Sequence, residues 1–255
     1  MILPVTQRFG KTMKFAIIAA GEGSRLANEG INAPKPLVEV GGEKLIDRLL
    51  RIFTDCGASE IDVICNDITP LVDEHLKEIE LNGLNGKLIP LRHIVKTTPS
   101  SMHSFFELSP LLGDEPFVMT TVDTIFREEE FRNYIQFFAN ALSEGKAEGV
   151  MGVTDFIDDE KPLYVRTDAQ NVITGFLDAD SDHECRFISG GIYGLSASAI
   201  STLRRCMESG QSRMRNFQRG LIEDGRSLLA YPFSKVLDID HASDIEKAEQ
   251  LMQNA

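Results

Sequence analysis

Basic side chains are scarce in this sequence: 26 Lys and Arg residues face 39 Asp and Glu residues among 255, giving a formal charge of -13. A broad duplex-binding face needs clustered Lys and Arg, so we expect no nucleic-acid partner. A local basic pocket for a small anion remains compatible with this charge. The four cysteines show no CxxC spacing, and none lies beside a histidine at zinc-finger spacing. Such cysteines are typical of free thiols in a reducing cytoplasm.

Long apolar runs are missing as well. No stretch approaches the roughly 20 apolar residues of a membrane-spanning helix, so we expect no membrane partner. The first residues lack the apolar segment of a secretory signal, and we interpret residues 1–13 as a short leader. The remaining composition, 42% hydrophobic and 25% charged, is ordinary for a globular protein with a full hydrophobic core.

Short apolar runs alternate with helical patterns along the first part of the chain. This repeated strand–helix order predicts parallel strands with helices on both faces of the sheet. The predicted strands are 14–19, 61–65, 88–91 or a little beyond, and 117–122, and the predicted helices are 45–53, 70–79, 101–108 and 127–142.

The second part of the chain contains more strand-like runs, with turns between them. These runs predict antiparallel additions to the first sheet, and therefore an α/β fold with a mixed, mostly parallel sheet. Ligands bind at the carboxyl ends of strands in open parallel sheets, so residues that follow each strand are the first site candidates. The predicted strands are 149–153, 163–166, 172–177, 187–194, 227–233 and 236–239, and the predicted helices are 196–207, 214–224 and 243–252.

A glycine-rich turn, Ala19-Ala-Gly-Glu-Gly-Ser-Arg-Leu26, follows the first strand. Two glycines two residues apart allow a tight backbone whose N–H groups can point at one anion. Leu26 stands where a dinucleotide GxGxxG motif needs glycine, and the Gly-Lys-Ser/Thr of a Walker A loop is missing. Taken alone, this GxG is also typical of a simple strand-to-helix turn.

A second short segment, Ala33-Pro-Lys-Pro-Leu37, comes shortly afterwards and precedes Val40-Gly-Gly42. Prolines on both sides stiffen the backbone around Lys35, which by itself could equally be a solvated lysine in a surface loop. Together, the glycine turn, the Pro-Lys-Pro-Leu segment and the Gly-Gly pair resemble the signature of the sugar-1-phosphate nucleotidylyltransferases. The resemblance is strongest over residues 14–50 and weaker to about residue 250.

This resemblance implies a three-layer α/β/α, Rossmann-like fold of the nucleotide-diphospho-sugar transferase type. It implies a single domain over residues 14–255, with a nucleotide-binding half at about 14–145 and an acceptor-binding half at about 146–255. Arg25 matches the residue that grips the β- and γ-phosphates, and Lys35 matches the lysine near the α-phosphate. The other implied nucleotide-binding residues are Ala19, Ala20, Gly21, Glu22, Gly23, Ser24 and Ser101.

Carboxylates at two places match the family's Mg²⁺ site. Asp123 follows a buried strand, as does the metal-binding Asp of the family, although Val122 stands where glycine is usual; the alternative is a cap on the following helix. Asp238 and Asp240 alternate along the predicted strand 236–239 and should therefore share a face. The resemblance implies that they complete the metal site, whereas Asp240 or Ser243 could instead cap the final helix. Asp123 is also implied as catalytic.

The acceptor site is less clearly marked. Ser189-Gly-Gly-Ile-Tyr193 is similar to the family's sugar-site strand, so Gly190, Gly191 and Tyr193 are implied acceptor-binding residues; a glycine-marked bulge is the alternative. The family's Glu-Lys-Pro motif is absent where it is expected, and we interpret Glu160-Lys-Pro162, which precedes Tyr164, as unrelated to it. An acidic stretch comprising Asp178, Asp180, Asp182 and Glu184 is either a solvated loop or a selector for a cationic acceptor.

The resulting prediction is a Mg²⁺-dependent nucleotidyltransferase that acts on a nucleoside triphosphate and a sugar 1-phosphate, as a monomer or homodimer. One alternative is a cytidylyltransferase for phosphocholine or another phospho-alcohol. A glycosyltransferase would more often carry a mid-chain Asp-x-Asp, whereas Thr124 and Ile125 follow Asp123 here. A non-catalytic nucleotide-sugar sensor would tolerate the loss of Arg25, Lys35 or Asp123, and all three are present.

Overall fold

The computed structural model describes residues 13–158 and 161–253. The leader predicted for residues 1–13 therefore lies outside the described residues, apart from Met13. The strands are β1 (Lys14–Ala19), β2 (Glu39–Val40), β3 (Glu43–Lys44), β4 (Glu60–Cys65), β5 (Leu91–Val95), β6 (Phe117–Thr121), β7 (Thr124–Ile125), β8 (Gly149–Thr154), β9 (Tyr164–Thr167), β10 (Ile173–Leu177), β11 (Phe187–Leu195), β12 (Leu228–Phe233) and β13 (Leu237–Asp238).

The helices separate most of these strands, in the alternating order that the sequence predicts. They are α1 (Ser24–Asn28), α2 (Leu45–Asp55), α3 (Pro70–Asn82), α4 (Ser101–Leu112), α5 (Glu128–Ser143), α6 (Ala199–Glu208), α7 (Met214–Glu223) and α8 (Ala242–Gln253). None of the helices in the described part of the chain is long and apolar enough to cross a membrane.

The main sheet runs in the order β10-β9-β11-β6-β1-β4-β5, with β8 paired to β11 and β12 paired to β8. β1 is parallel to both of its neighbours, β4 and β6, and β5 is parallel to β4. β11 joins this parallel unit by pairing antiparallel to β6, so the second part of the chain extends the first sheet. The prediction of a mixed, mostly parallel sheet is confirmed.

Side chains of β1 alternate between two apolar layers, as the pleat of a strand requires. Phe15, Ile17 and Ala19 pack on one face together with buried residues of α2, α3, α5 and α8. Ala16 and Ile18 pack on the other face with buried residues of α4, α6 and α7. The sheet is therefore covered by helices on both faces, which gives the predicted three-layer α/β/α architecture.

Most predicted strands differ from the structure by one residue at one or both ends; one begins later than predicted and one is much shorter. β5 begins at Leu91 rather than Leu88, because residues 84–87 form a small turn closed by an isolated bridge between Leu84 and Lys87. Leu88 is 80% exposed and so does not belong to the buried strand. The strand predicted at 236–239 is only β13, which ends at Asp238 and pairs antiparallel with β7.

Candidate active site

The glycine loop, Gly21–Gly23, follows β1 and leads into α1. Gly23 has φ +64°, and a Cβ built there would lie 3.0 Å from the Cβ of Lys35. Glycine is thus required on two grounds, the left-handed backbone and the close approach of the segment that carries Lys35. The two motifs that are adjacent in sequence are therefore in direct contact in the fold.

Asn66 fastens this loop to the neighbouring strand end. It follows β4 and is buried, and its side-chain amide donates hydrogen bonds to the carbonyl oxygens of Ala20 (3.3 Å) and Gly21 (3.1 Å). Its side-chain oxygen accepts a hydrogen bond from the backbone N–H of Ile68 at 3.1 Å. Both ends of the amide are used, so Asn66 fixes the start of the loop. Sequence analysis missed this residue, although a polar side chain directly after the apolar strand β4 was a usable signal.

Four charged side chains form a continuous chain beside the loop, in the order Arg25, Asp240, Lys35, Asp123. Arg25 Nη1 lies 2.7 Å from Asp240 Oδ2, and Lys35 Nζ lies 2.8 Å from Asp240 Oδ1. Lys35 also forms an ion pair with Asp123 Oδ2. The structure brings together all three predicted catalytic residues and two of the three predicted metal ligands, Asp123 and Asp240.

Lys35 is a half-enclosed ion-paired group and not the solvated surface lysine of the alternative interpretation. Its side chain is 10% exposed, at the start of the short 3-10 turn Lys35–Leu37. Burial lowers the pKa of Lys35, but the adjacent Asp123 and Asp240 carboxylates outweigh it, so the pKa lies above its ordinary value. Burial raises the pKa of Asp240, yet the ammonium of Lys35 and the guanidinium of Arg25 bring it below its ordinary value. Both groups are therefore charged at neutral pH.

The alternative that the acidic residues are helix caps is wrong. Helix α5 is preceded by Arg127 and has no side-chain cap, so Asp123 does not cap it. At the last helix, Asp244 accepts hydrogen bonds from the backbone N–H groups of Asp240 (3.2 Å) and His241 (2.8 Å). The N–H of Ala242, the first residue of α8, donates instead to Glu29 at 2.6 Å, and both carboxylate oxygens of Asp240 pair with Lys35 and Arg25.

A first cavity of about 450 Å³ opens over this cluster at the carboxyl ends of β1 and β6. The predicted residues that line it are Ala20, Gly21, Glu22, Gly23, Ser24, Arg25, Lys35, Ser101, Asp123 and Asp240. Ala19 is not among the lining residues: it is 1% exposed and packs in the hydrophobic layer, because its side chain lies on the opposite face of the strand from that of Ala20. The side chain of Ala19 therefore does not line the first cavity, and its contact with the nucleoside stays a prediction.

Small hydroxyl side chains line the far wall of the first cavity. Ser104 and Thr98 share a hydrogen bond of 2.6 Å between their hydroxyl oxygens, and both lie in the lining with Pro99, Ser100 and Ser101. Ser100 precedes α4 and accepts a hydrogen bond from the backbone N–H of His103, so it caps this helix. Sequence analysis selected Ser101 from this wall and missed Thr98 and Ser104.

A second cavity of about 320 Å³ adjoins the first, and Arg25 and Asp240 line both. Gly190 lines this second cavity, as does Asp238. Asp238 lines the second cavity and is not in the lining of the first, where Asp123 lies, so its place in a metal site with Asp123 stays a prediction. Lys161 also lines the second cavity, although its Glu-Lys-Pro triplet does not stand where the family's motif is expected.

The strand that carries Gly190 contains the bulge that sequence analysis left as an alternative. The register between β11 and β8 shifts between Ser189 and Ile192, around Gly190 and Gly191. Gly191 has φ +69°, and a Cβ there would lie 3.4 Å from Thr124 Oγ1. Tyr193 is 6% exposed in the hydrophobic layer and its hydroxyl accepts a hydrogen bond from Gln218 Nε2 at 3.4 Å. Neither Gly191 nor Tyr193 is in the lining of the second cavity, so the acceptor role expected for them has no support from the geometry.

Three carboxylates of the acidic stretch, Asp178, Asp180 and Glu184, have partners, and the stretch does not line the first or the second cavity. Asp178 lies 2.5 Å from Arg215 and 2.7 Å from Arg219, both on α7. Asp180 accepts hydrogen bonds from the backbone N–H groups of Glu184 and Cys185, at 3.0 Å each. These carboxylates organise a loop, and the idea that they select a cationic acceptor is wrong.

Comparisons with known proteins agree with this architecture. A family model described as the MobA-like NTP transferase domain matches residues 15–219. The chain is 25% identical over 197 residues to mannose-1-phosphate guanylyltransferase catalytic subunit beta of Drosophila melanogaster, covering 76% of this chain and 51% of that protein. It is 23% identical over 252 residues to a UTP–glucose-1-phosphate uridylyltransferase of Haloferax volcanii, covering 94% and 97% of the two chains.

Among solved structures, the inositol-1-phosphate CTP transferase from T. maritima superimposes with a TM-score of 0.75 and 18% identity, over 96% of each chain. This likeness shows the shared fold. The chain spans about half the length of the first of the curated relatives above. The resemblance to nucleotidyltransferases, based on the glycine loop and Lys35, is confirmed by the family match. With residues 15–219 covered by one family model, the chain belongs to the family of MobA-like NTP transferase domains.

Proposed function

We propose that this protein is a Mg²⁺-dependent nucleotidyltransferase that joins a nucleoside triphosphate to a sugar 1-phosphate, giving an NDP-sugar and pyrophosphate. The observation that carries the proposal is the charge chain Arg25–Asp240–Lys35–Asp123, which lies beside the glycine loop at the first cavity. The names of the relatives support the same reaction class: the Drosophila protein is a guanylyltransferase for mannose 1-phosphate and the Haloferax protein a uridylyltransferase for glucose 1-phosphate.

In the proposed reaction, an oxygen of the acceptor phosphate attacks the α-phosphorus of the triphosphate. The bond between the α-phosphorus and the α,β-bridging oxygen breaks, and pyrophosphate leaves with the electron pair. No covalent intermediate with the protein is needed, because this chemistry depends on alignment and on charge neutralisation. Arg25 and Lys35 are the cations among the described residues that line the first cavity.

The two cations suit different parts of this reaction. Lys35 is 10% exposed and lies deepest in the charge chain, so its ammonium is placed to neutralise charge that develops around the α-phosphate. Arg25 is 62% exposed and lies where the two cavities meet, and its planar guanidinium can bind phosphate oxygens in pairs. We assign Arg25 to the β- and γ-phosphates and the departing pyrophosphate.

Asp123 and Asp240 fit a bound Mg²⁺ on one observation: Oδ1 of Asp123 is buried and has no hydrogen-bond partner. The described residues contain no group of three or more His, Cys, Asp or Glu arranged for a metal ion. Two carboxylates suffice for Mg²⁺, which commonly completes its coordination with phosphate oxygens and water. Bound there, the ion would reduce the repulsion between the α-phosphate and the acceptor phosphate.

The second cavity supports a polyhydroxylated acceptor over phosphocholine. Recognition of a quaternary ammonium typically uses several aromatic faces, whereas Phe156 is the aromatic side chain among the described lining residues. The face of Phe156 is already covered by Lys235, whose Nζ lies 4.0 Å from the ring centroid. Asp158 and Lys247, paired at 2.8 Å, offer both an acceptor and a donor for hydroxyl groups.

We place this reaction in the cytoplasm. All four cysteines, Cys56, Cys65, Cys185 and Cys206, are free thiols, which is the usual state in a reducing compartment. A non-catalytic sensor is the less supported reading, because Arg25, Lys35 and Asp123 are joined in one intact charge chain.

The test is a pyrophosphate-release screen of ATP, CTP, GTP, UTP and dTTP against sugar 1-phosphates, inositol 1-phosphate and phosphocholine, with Mg²⁺. We expect turnover with at least one NTP and a sugar 1-phosphate, and its loss in Lys35→Ala. The matched control is Lys146→Ala, at an exposed lysine whose ion-pair partner among the described residues is Glu144. Turnover with phosphocholine alone would favour the phospho-alcohol function, and silence with every pair would favour the sensor.

A further inference from the structure

The carboxylates proposed to hold Mg²⁺ already hold a cation in the substrate-free protein. The ammonium of Lys35 lies between Asp123 Oδ2 and Asp240 Oδ1, and Arg25 contacts the remaining oxygen of Asp240 at 2.7 Å. Of the four carboxylate oxygens, only Asp123 Oδ1 is buried without a hydrogen-bond partner. A divalent ion that bridges both carboxylates must therefore compete with Lys35 for them.

The protein gives Lys35 few other anionic partners. Among the described residues that line the first cavity, the remaining carboxylate belongs to Glu22. This residue is exposed on the glycine loop. The start of the Lys35 side chain also has little free space on the side of Gly23, where an added Cβ would lie 3.0 Å from the Cβ of Lys35. If the ammonium moved away from both carboxylates without another anion to bind, it would remain a half-buried and unpaired cation. Such a state is unfavourable.

A triphosphate changes this balance. Its oxygens can accept both the ammonium of Lys35 and the guanidinium of Arg25, which frees the oxygens of Asp123 and Asp240 for a metal ion. The two cationic side chains then serve the substrate, and the two carboxylates serve the metal, with every charge still paired.

We propose that Lys35 acts as the resident cation of the nucleotide-free site, so that a divalent metal ion binds tightly only together with the triphosphate. The inference rests on the proposed function, because it assigns the triphosphate as the partner that receives Lys35. It adds a role that the reaction chemistry alone does not require: Lys35 holds the two carboxylates in place beforehand and sets the order in which the ligands bind.

The experiment measures Mn²⁺ binding to the nucleotide-free protein, by the loss of the free-ion signal in electron paramagnetic resonance. Lys35→Met removes the ammonium and keeps the apolar stem. Since an ion pair of this kind contributes roughly one to two powers of ten to an equilibrium constant, we expect Mn²⁺ to bind at least about tenfold tighter than to the wild type. Lys146→Met is the matched control and should bind Mn²⁺ as the wild type does.

The location of the gained affinity is tested by adding Asp123→Asn to Lys35→Met, which should abolish the gain. Lys35→Gln is a second variant with a neutral side chain, and circular dichroism checks that each variant is folded. Equal Mn²⁺ affinity in the wild type and in folded Lys35→Met or Lys35→Gln overturns the proposal, as does a gain that survives Asp123→Asn. Submicromolar Mn²⁺ binding by the wild type alone also overturns it.

These outcomes are distinct from a failure of the proposed function. The Mn²⁺ measurement contains no nucleotide, whereas the pyrophosphate screen depends on substrates. Silence in the screen rejects the transferase activity, and an unchanged Mn²⁺ affinity rejects the role of Lys35 as resident cation.

Discussion

Lys35 Nζ lies 2.8 Å from Asp240 Oδ1, although 205 residues separate the two along the chain. The contact joins the Pro-Lys-Pro segment after the glycine loop to the segment that follows β13. It ties the first and last parts of the described chain into one charged cluster, and the predictions below start from that cluster.

Replacing Lys35 by alanine removes the ammonium proposed to stabilise charge at the α-phosphate. Loss of one such preorganised charge commonly costs about a hundred- to a thousandfold in kcat, and we expect a loss of that order. Steady-state pyrophosphate release measures it, with Lys146→Ala as the control. A kcat within a factor of two of the wild type would reject the assignment.

Replacing Asp123 by asparagine keeps the size of the side chain and removes its charge. Because Asp123 is proposed as a metal ligand, we expect the variant to need a higher Mg²⁺ concentration for half-maximal rate and to have a lower maximal rate. EDTA should abolish wild-type activity and added Mg²⁺ restore it. Asp55→Asn, at an exposed carboxylate paired with Lys87, serves as the control. A rate that persists in EDTA would exclude the metal requirement.

Replacing Asn66 by aspartate exchanges two hydrogen-bond donors for an acceptor facing the carbonyl oxygens of Ala20 and Gly21. Buried polar groups that lose their partners destabilise a fold by about 1–3 kcal/mol, and we expect a lower midpoint of thermal unfolding. We also expect a higher KM for the nucleotide with a smaller change in kcat, since the glycine loop loses its fixed start. An unchanged KM in a folded, destabilised variant would limit Asn66 to a purely structural role.

The pair formed by His241 and Glu29 should make stability depend on pH. The two side chains lie 2.6 Å apart, and Glu29 also accepts a hydrogen bond from the backbone N–H of Ala242. The hydrogen bond with Glu29 raises the pKa of His241 above its ordinary 6.5, and the hydrogen bond with His241 lowers that of Glu29 below its ordinary 4.5.

The directions of the two pKa shifts determine how the stabilisation varies with pH. The contribution of His241 is full below pH 6.5 and is lost as the pH rises through its raised pKa, whereas that of Glu29 is full above pH 4.5 and is lost as the pH falls through its lowered pKa. The difference in melting temperature between the wild type and His241→Gln should thus be largest between pH 4.5 and 6.5. A difference that does not vary with pH would contradict this pairing.

Much of the fold could be predicted from the sequence because its signals are local. Strands such as β1 and β6 are short apolar runs, and their alternation with amphipathic helices indicates parallel order. Boundaries were less certain where tertiary context decides them: Leu88 has the hydrophobicity of a strand residue, yet the turn before it leaves its side chain in solvent.

Site residues that belong to a sequence motif could be predicted. Residues that reach the site only through the folding of distant segments could not. The glycine turn and the Pro-Lys-Pro segment identified Arg25 and Lys35, which belong to the same charge chain as Asp123 in the structure. Asp238 and Asp240 both line the second cavity, as their alternation suggests, but the ion pair between Asp240 and Lys35 could not be predicted from a strand as short as β13. The position of Lys161 in the lining of the second cavity could not be predicted either, because chain order does not determine which side chains meet across a cavity. Asn66 belongs to no motif, and only its hydrogen bonds to the glycine loop identify its role.

β7 and β13 form a two-stranded antiparallel ribbon, and this ribbon determines when the charge chain can form during synthesis. β7 follows Asp123 directly, β13 precedes Asp240 by one residue, and the backbone N–H of Ile239 donates to the carbonyl oxygen of Asp123 at 3.1 Å. A nascent chain released up to the end of α7 can form the glycine loop and β6, but it lacks the ribbon's second strand. Arg25 and Lys35 therefore meet Asp240 only once the segment after β13 has been synthesised, so a nascent chain that stops before it has an incomplete charge chain.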